Sequence, residues 1–213
     1  MFFSFLIAAP NSSSGKTTVT ALILSALAKR GLKVQPFKCG PDYIDPTFHK
    51  AVTGVASINI DTWMMGKEKV KELYASYTRE ADCAVIEGVM GLFDGKEPDS
   101  TESSSAEISA ILSAPVLLVV DVKGMAGSIA PLVKGFAEFH PDVKICGVIA
   151  NRVGSTFHAQ IIKKALESAS LPPLLGALPE EPLLRIESRH LGLIPADIEA
   201  VEPEWLKKSA DIA

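Results

Sequence analysis

Lys16 and Thr17 close the stretch APNSSSGKTT at 9–18, between an apolar run at 3–8 and an amphipathic run after it. A strand, a small-residue loop and a helix in that order form a phosphate-binding loop. Consecutive backbone N–H groups and the helix N-terminus converge on one point and favour a polyanion there. Lys16 then reaches the β- and γ-phosphates, and the Thr17 hydroxyl sits on Mg²⁺. Ser12, Ser13, Ser14, Gly15 and Thr18 complete the nucleotide cradle. The usual pattern has glycine where this chain has Pro10. A flexible Ser/Gly linker is the competing reading, but a linker does not join a buried strand directly to a capped helix.

Five acids, Asp42, Asp45, Glu87, Asp94 and Asp121, follow the ends of predicted strands. Open α/β sheets bind ligands at that edge, so all five can face one crevice with Lys16. Glu87 ends the run DCAVIE, where an acid holds Mg²⁺ directly or through water. Taken singly, each carboxylate is more often a solvated loop acid or a helix cap. Convergence with Lys16 favours a ligand role for Glu87 and for at least one of Asp42 and Asp45, and leaves both readings open for Asp121. Asn151 follows the run KICGVIA, where an amide can read the edge of adenine or simply shape a turn. Pro179, after the last predicted strand, is placed with it in the nucleotide set. His49, His140 and His158 show no catalytic partner in the sequence and read as surface or loop residues. No nucleophile elbow surrounds Cys39, Cys83 or Cys146.

Alternating elements must position these residues. Val19, Leu22, Ile23, Ala26 and Leu27 lie on one helical face, and Gly31 stops that helix. Residues 33–38 read as a second strand, and GPDYIDP at 40–46 as a loop without periodicity. Val70, Leu73, Tyr74 and Tyr77 mark a helix, 82–87 a strand, and Ser104 with Glu107 a capping box. Residues 115–121 (PVLLVVD) are continuously apolar, as strands covered on both faces are. A helix through Phe136, a strand at 144–150, a helix from Ser155 and a strand at 174–178 follow, with a short helix expected at 204–213. The fold class is therefore α/β, a mostly parallel sheet flanked by helices.

Bulk properties narrow the function classes. The 213 residues are 47% hydrophobic and 22% charged, with a net charge of −4 and no basic stripe, which argues against a nucleic-acid surface. No apolar run has the length of a membrane span, and MFFSFLIAAP lacks the basic start of a signal peptide. Three scattered cysteines without metal spacing fit a reducing cytoplasm.

APNSSSGKTTVT, QPFKCGPDYIDPTFH, AVIEGVMGLFDG and RHLGL together resemble cobyrinic acid a,c-diamide synthases, over nearly the whole chain. The resemblance implies a phosphate-loop NTPase synthetase domain over 1–213, similar in fold to dethiobiotin synthetase. It also implies use of ATP and Mg²⁺ to activate a tetrapyrrole acetate as an acyl phosphate, which ammonia then attacks. Carried over by motif, Lys16 and Thr17 bind phosphates and metal, and Asp42 and Glu87 are metal-side acids. Asp45 and Asp94 lie where the family handles the carboxylate and its intermediate, so Lys16, Asp45, Glu87 and Asp94 form the catalytic set. The expected partners are a tetrapyrrole polycarboxylate, ammonia from a glutaminase domain or subunit, and, as an open option, a second copy of the chain. Two departures stand out: Ser13 replaces a glycine common in relatives, and the family's C-terminal glutaminase domain is absent from the sequence. Nickel-sirohydrochlorin is an alternative substrate with the same motifs. A ParA/MinD-like ATPase switch is another reading, but such switches commonly carry an early loop lysine that Pro10-Asn11-Ser12 does not supply.

Overall fold

The computed structural model describes residues 2–180. Seven parallel strands form one sheet in the order β3-β2-β4-β1-β5-β6-β7. The strands are β1 (Phe3–Ala8), β2 (Val34–Cys39), β3 (Ile58–Ile60), β4 (Cys83–Glu87), β5 (Val116–Asp121), β6 (Ile145–Val153) and β7 (Leu174–Pro179). Helices α1 (Lys16–Lys29) and α2 (Asp45–Thr53) precede α3 (Thr62–Met65) and α4 (Lys67–Thr78). The remaining helices are α5 (Ser105–Leu112), α6 (Ile129–Glu138) and α7 (Thr156–Ser168). No helix among the described residues is long and apolar enough to cross a membrane.

Strand alternation divides the core. Leu6, Ile86, Leu118 and Val148 meet Val70, Ile108, Ile129, Val133 and Ile162 from α4 to α7 on one face. Ile7, Val85, Val119 and Ile149 meet Val19 and Leu24 of α1 on the other. Both faces are covered, so the central strands carry continuous apolar runs, as expected for a parallel sheet.

Register builds the functional edge. Ile7 pairs with Glu87 across β1 and β4, and Lys38 pairs with Glu87 across β2 and β4. A cation and an acid are thereby fixed beside the loop that leaves β1.

The segment after β2 is more ordered than its sequence suggests. The expected loop runs into α2, which carries Pro46 in its first turn and ends at Gly54 with φ 72°. β3 and α3 follow, the latter capped by Asp61, whose carboxylate accepts from the Met64 N–H at 2.9 Å. The cap expected at Ser104 does accept from the Glu107 N–H, and Ser155, at the expected helix start, caps by accepting from the His158 N–H. The RHLGL motif at 189–193 and the helix expected at 204–213 lie outside the described residues.

Candidate functional site

The loop between β1 and α1 presents its backbone to the crevice. Gly15 is the helix N-cap at φ 93°, so no side chain caps the N-terminus of α1. A Cβ there would run into the Asn151 amide, so only glycine fits. Ser13 occupies the left-handed region at φ 64°, which accounts for glycine being the easier residue there. Ser14 Oγ donates to the Asn11 carbonyl at 3.0 Å and tightens the turn. Asn151 is buried and its Nδ2 donates to the Ser14 carbonyl at 2.9 Å. Arg152 reaches the Ser13 carbonyl at 3.2 Å and pairs with Asp121. Asn151 and Asp121 thus brace the loop from the β5–β6 side. Ser12 is exposed, as is Pro179 at the end of β7, and Thr18 lies in the first turn of α1.

Lys16 is buried, with Nζ donating to the carbonyls of Met90 at 2.6 Å and Asn11 at 3.5 Å. Burial first, then the charge of Lys38, pull its ammonium down to about 8. A cation held on neutral carbonyls gains strongly from a polyanion.

Glu87 is fully buried and organises the centre. Its Oε1 accepts from Thr17 Oγ1 at 2.8 Å and from Lys38 Nζ at 3.1 Å, while Oε2 lies 2.6 Å from His49 Nε2. Burial opposes its charge, yet Lys38 and the bonds from His49 and Thr17 outweigh burial and hold its carboxyl well below the usual carboxylate range. Burial likewise opposes the Lys38 charge, but Glu87 and Asp45 hold that ammonium above the ordinary lysine value. Asp45 Oδ2 sits 2.6 Å from Lys38 Nζ. Its carboxyl is nevertheless raised, by burial and then by the charge of Glu87, with Lys38 opposing. Two acids share one lysine, and Glu87 is the better compensated.

Lys38 and His49 escape sequence reasoning. His49 is not the surface residue expected: it is completely buried, with Nδ1 2.9 Å from Ser57 Oγ. His158 also has partners, the Gly154 N–H at 3.0 Å and the Met125 carbonyl at 2.6 Å. The missed signal for Lys38 was a charged residue next to the end of an otherwise covered strand, opposite an acid in register.

Asp42 Oδ1 accepts from the N–H groups of Ile44 and Asp45 at 2.8 and 3.3 Å and shapes the entry to α2. Asp94 is exposed, and its Oδ2 accepts from the Gly91 N–H at 2.7 Å. A Cβ at Gly91 would press on the Asp94 carboxylate and the Pro10 carbonyl, so this loop closes against the phosphate loop only through glycine. Among the described residues no cluster of three His, Cys, Asp or Glu side chains forms a ready metal cage. Thr17 beside Glu87 fits a Mg²⁺ held by few protein oxygens together with phosphates and water.

An uncapped helix, a buried lysine and a Thr–acid pair at the edge of a parallel sheet define a phosphate-loop nucleotide-binding protein. The chain belongs to the CobQ/CobB/MinD/ParA nucleotide binding domain family, whose model matches residues 5–194. It is 49% identical to cobyrinate a,c-diamide synthase of Syntrophotalea carbinolica, over 97% of this chain and 45% of that relative. The enzyme of the same name from Priestia megaterium is 51% identical over 90% of this chain and 42% of its own. Hydrogenobyrinate a,c-diamide synthase of Brucella ovis is 47% identical over 98% and 47%. The resemblance read from the motifs is borne out, and the chain spans about half the length of the curated relatives it matches.

Proposed function

We propose that this chain is the synthetase part of an ATP- and Mg²⁺-dependent amido-ligase that amidates the a- and c-acetate carboxylates of cobyrinic or hydrogenobyrinic acid. The observation that carries this reading is the set Lys16, Thr17 and Glu87 on one side of the crevice, with Asp45 on the other side of the shared Lys38. The relatives' names supply the substrate class.

In this reading the loop N–H groups, Ser14, Gly15 and Thr18 hold the phosphates, and Thr17 with Glu87 and Asp42 serves Mg²⁺. ATP supplies the phosphoryl group that turns a carboxylate into an acyl phosphate, which ammonia converts to the amide with loss of phosphate. Carboxylate meeting triphosphate is anion meeting anion, so Lys16 and the loop dipoles must be oriented before charge shifts. Lys38 keeps Glu87 ionised and holds Asp45 nearby. Asp45 or Asp94 takes a proton from the attacking nitrogen or anchors a loop over the intermediate.

The test is product mass from cobyrinic acid with ATP, Mg²⁺ and ammonium chloride. One or two acid-to-amide mass changes, with matching ADP release, are expected. ATP binding without any mass change, in the presence of the tetrapyrrole, would overturn the reading.

A further inference from the structure

We propose that the cavity bounded by Trp63, Met90, Asp94, Lys96 and Ser103 seats one edge of the tetrapyrrole macrocycle, with the Trp63 face against the ring and Lys96 against a ring carboxylate. The inference rests on the amidation reading above and gives a role to Trp63 and Lys96, which the motifs left without one.

The cavity measures about 280 Å³ and is lined mainly by apolar surface from Trp63, Val89 and Met90. That is the small end of ligand cavities, so it takes an edge of a macrocycle and the acetate it bears rather than a whole ring. Trp63 is 60% exposed and Met90 is 53% exposed. The backbone that carries the indole is nevertheless held in place. Its short helix is capped by Asp61, and the neighbouring Thr62 donates to Glu107 Oε2 at 2.5 Å. Glu107 is in turn paired with Lys67 at 2.8 Å. A large ring positioned in water beside a charged crevice is a ready stacking platform.

Lys96 Nζ lies 4.0 Å from the centre of the Trp63 ring. The ammonium stands over one face of the indole, so a flat ring fringed with carboxylates takes that place on the indole as Lys96 swings out to a carboxylate. An adenine ring also stacks on indole, but position argues against it. Met90 lines the cavity, and its carbonyl accepts from Lys16 Nζ. The cavity therefore adjoins the phosphate end of the site, where the reacting carboxylate must arrive. Asp94 lines the same cavity.

The test titrates the 213-residue chain with cobyrinic acid, reading the visible absorbance, and with Mg-ATP by calorimetry. Trp63→Ala and Lys96→Gln should each weaken tetrapyrrole binding by about tenfold. Lys96→Arg should recover most of that loss, and Mg-ATP affinity should not change in any of the three. Wild type that binds cobyrinic acid while Trp63→Ala and Lys96→Gln bind it equally well overturns the subsite alone. So does a Trp63→Ala loss confined to Mg-ATP, which would place adenine on the indole. Wild type that leaves the absorbance unchanged overturns the amidation reading and the subsite with it.

Discussion

The charged residues of the crevice sit in unequal balance, and the imbalance sets how each proposed role can be tested. Lys16 carries its charge against burial without a carboxylate ion pair among the described residues. Its folded value of about 8 lies below the ordinary 10.5, so at pH 7 the charge costs folding energy that vanishes above pH 10.5. Lys16→Met should therefore abolish Mg-ATP binding by calorimetry while the melting temperature at pH 7 stays level or rises by a few degrees. A lower melting temperature would mean that Lys16 is a structural contact. Glu87 is the opposite case. Its depressed carboxyl stabilises the fold above the unfolded value of about 4.5, and that contribution is lost as pH falls below it. Glu87→Gln should weaken Mg²⁺-dependent nucleotide binding and lower stability at neutral pH, with the stability difference shrinking in acid. Asp45, whose carboxyl is raised, gains no such stability from ionisation at pH 7. Asp45→Asn should keep Mg-ATP binding yet lose product formation, because an amide oxygen still accepts from Lys38 but cannot take up a proton in the reacting state. Equal loss of nucleotide binding in both variants would end the division into metal-side and substrate-side acids.

At the scale of elements, α2 turns a phosphate loop into a site with two sides. Asp45 and His49, four residues apart, look toward Lys38 and Glu87, while Phe48 and Val52 pack on Ala21 and Leu22 of α1. The inward stripe that periodicity analysis expects to be apolar is half polar here, so the helix reads as a loop until its partners are seen. The remaining order was legible for a physical reason. Strands covered on both faces show continuous apolar runs, and α1, α4, α6 and α7 show stripes at helical spacing. Lys16, Thr17 and Glu87 were legible because loop chemistry and strand ends mark them. Lys38 and His49 were not, because their meaning lies in the β2–β4 register and the placement of α2 rather than in neighbouring residues. His49 donates to or pairs with Glu87 Oε2, leaving Oε1 turned to Thr17. With Glu87 on the metal side as proposed, His49 is a positioning residue for it. His49→Phe should raise the Mg²⁺ concentration needed for half-maximal activity, and His49→Gln, which keeps an N–H donor, should recover part of the effect. Lost stability with an unchanged Mg²⁺ requirement would make His49 a packing residue.

For the whole molecule, the proposed amidation has two halves, and the groups among the described residues suit them unequally. Releasing ammonia from glutamine by a cysteine route needs a thiolate beside a base in a preorganised site. The chain has three cysteines, all within strands. Burial pushes the Cys39 thiol up to about 12 and the Cys83 thiol up to about 11. Burial also raises Cys146, whose Sγ donates to the Val116 carbonyl at 3.3 Å. A thiol held protonated in a sheet is a poor nucleophile, and none of the three stands on a turn that would lift it toward substrate. Activation of a carboxylate makes no such demand, since it needs the phosphate loop, Glu87 and the Asp45 side of the crevice. Given cobyrinic acid, ATP and Mg²⁺, the chain should form amide from ammonium chloride and none from glutamine. Adding a glutaminase in trans should restore glutamine use. The measurement is product mass under each nitrogen source with the concentration of tetrapyrrole held constant. Equal amidation from glutamine by the chain alone would show that one of the three thiols becomes reactive, and alkylation of Cys146, the least buried of the three, would be the first place to look for it.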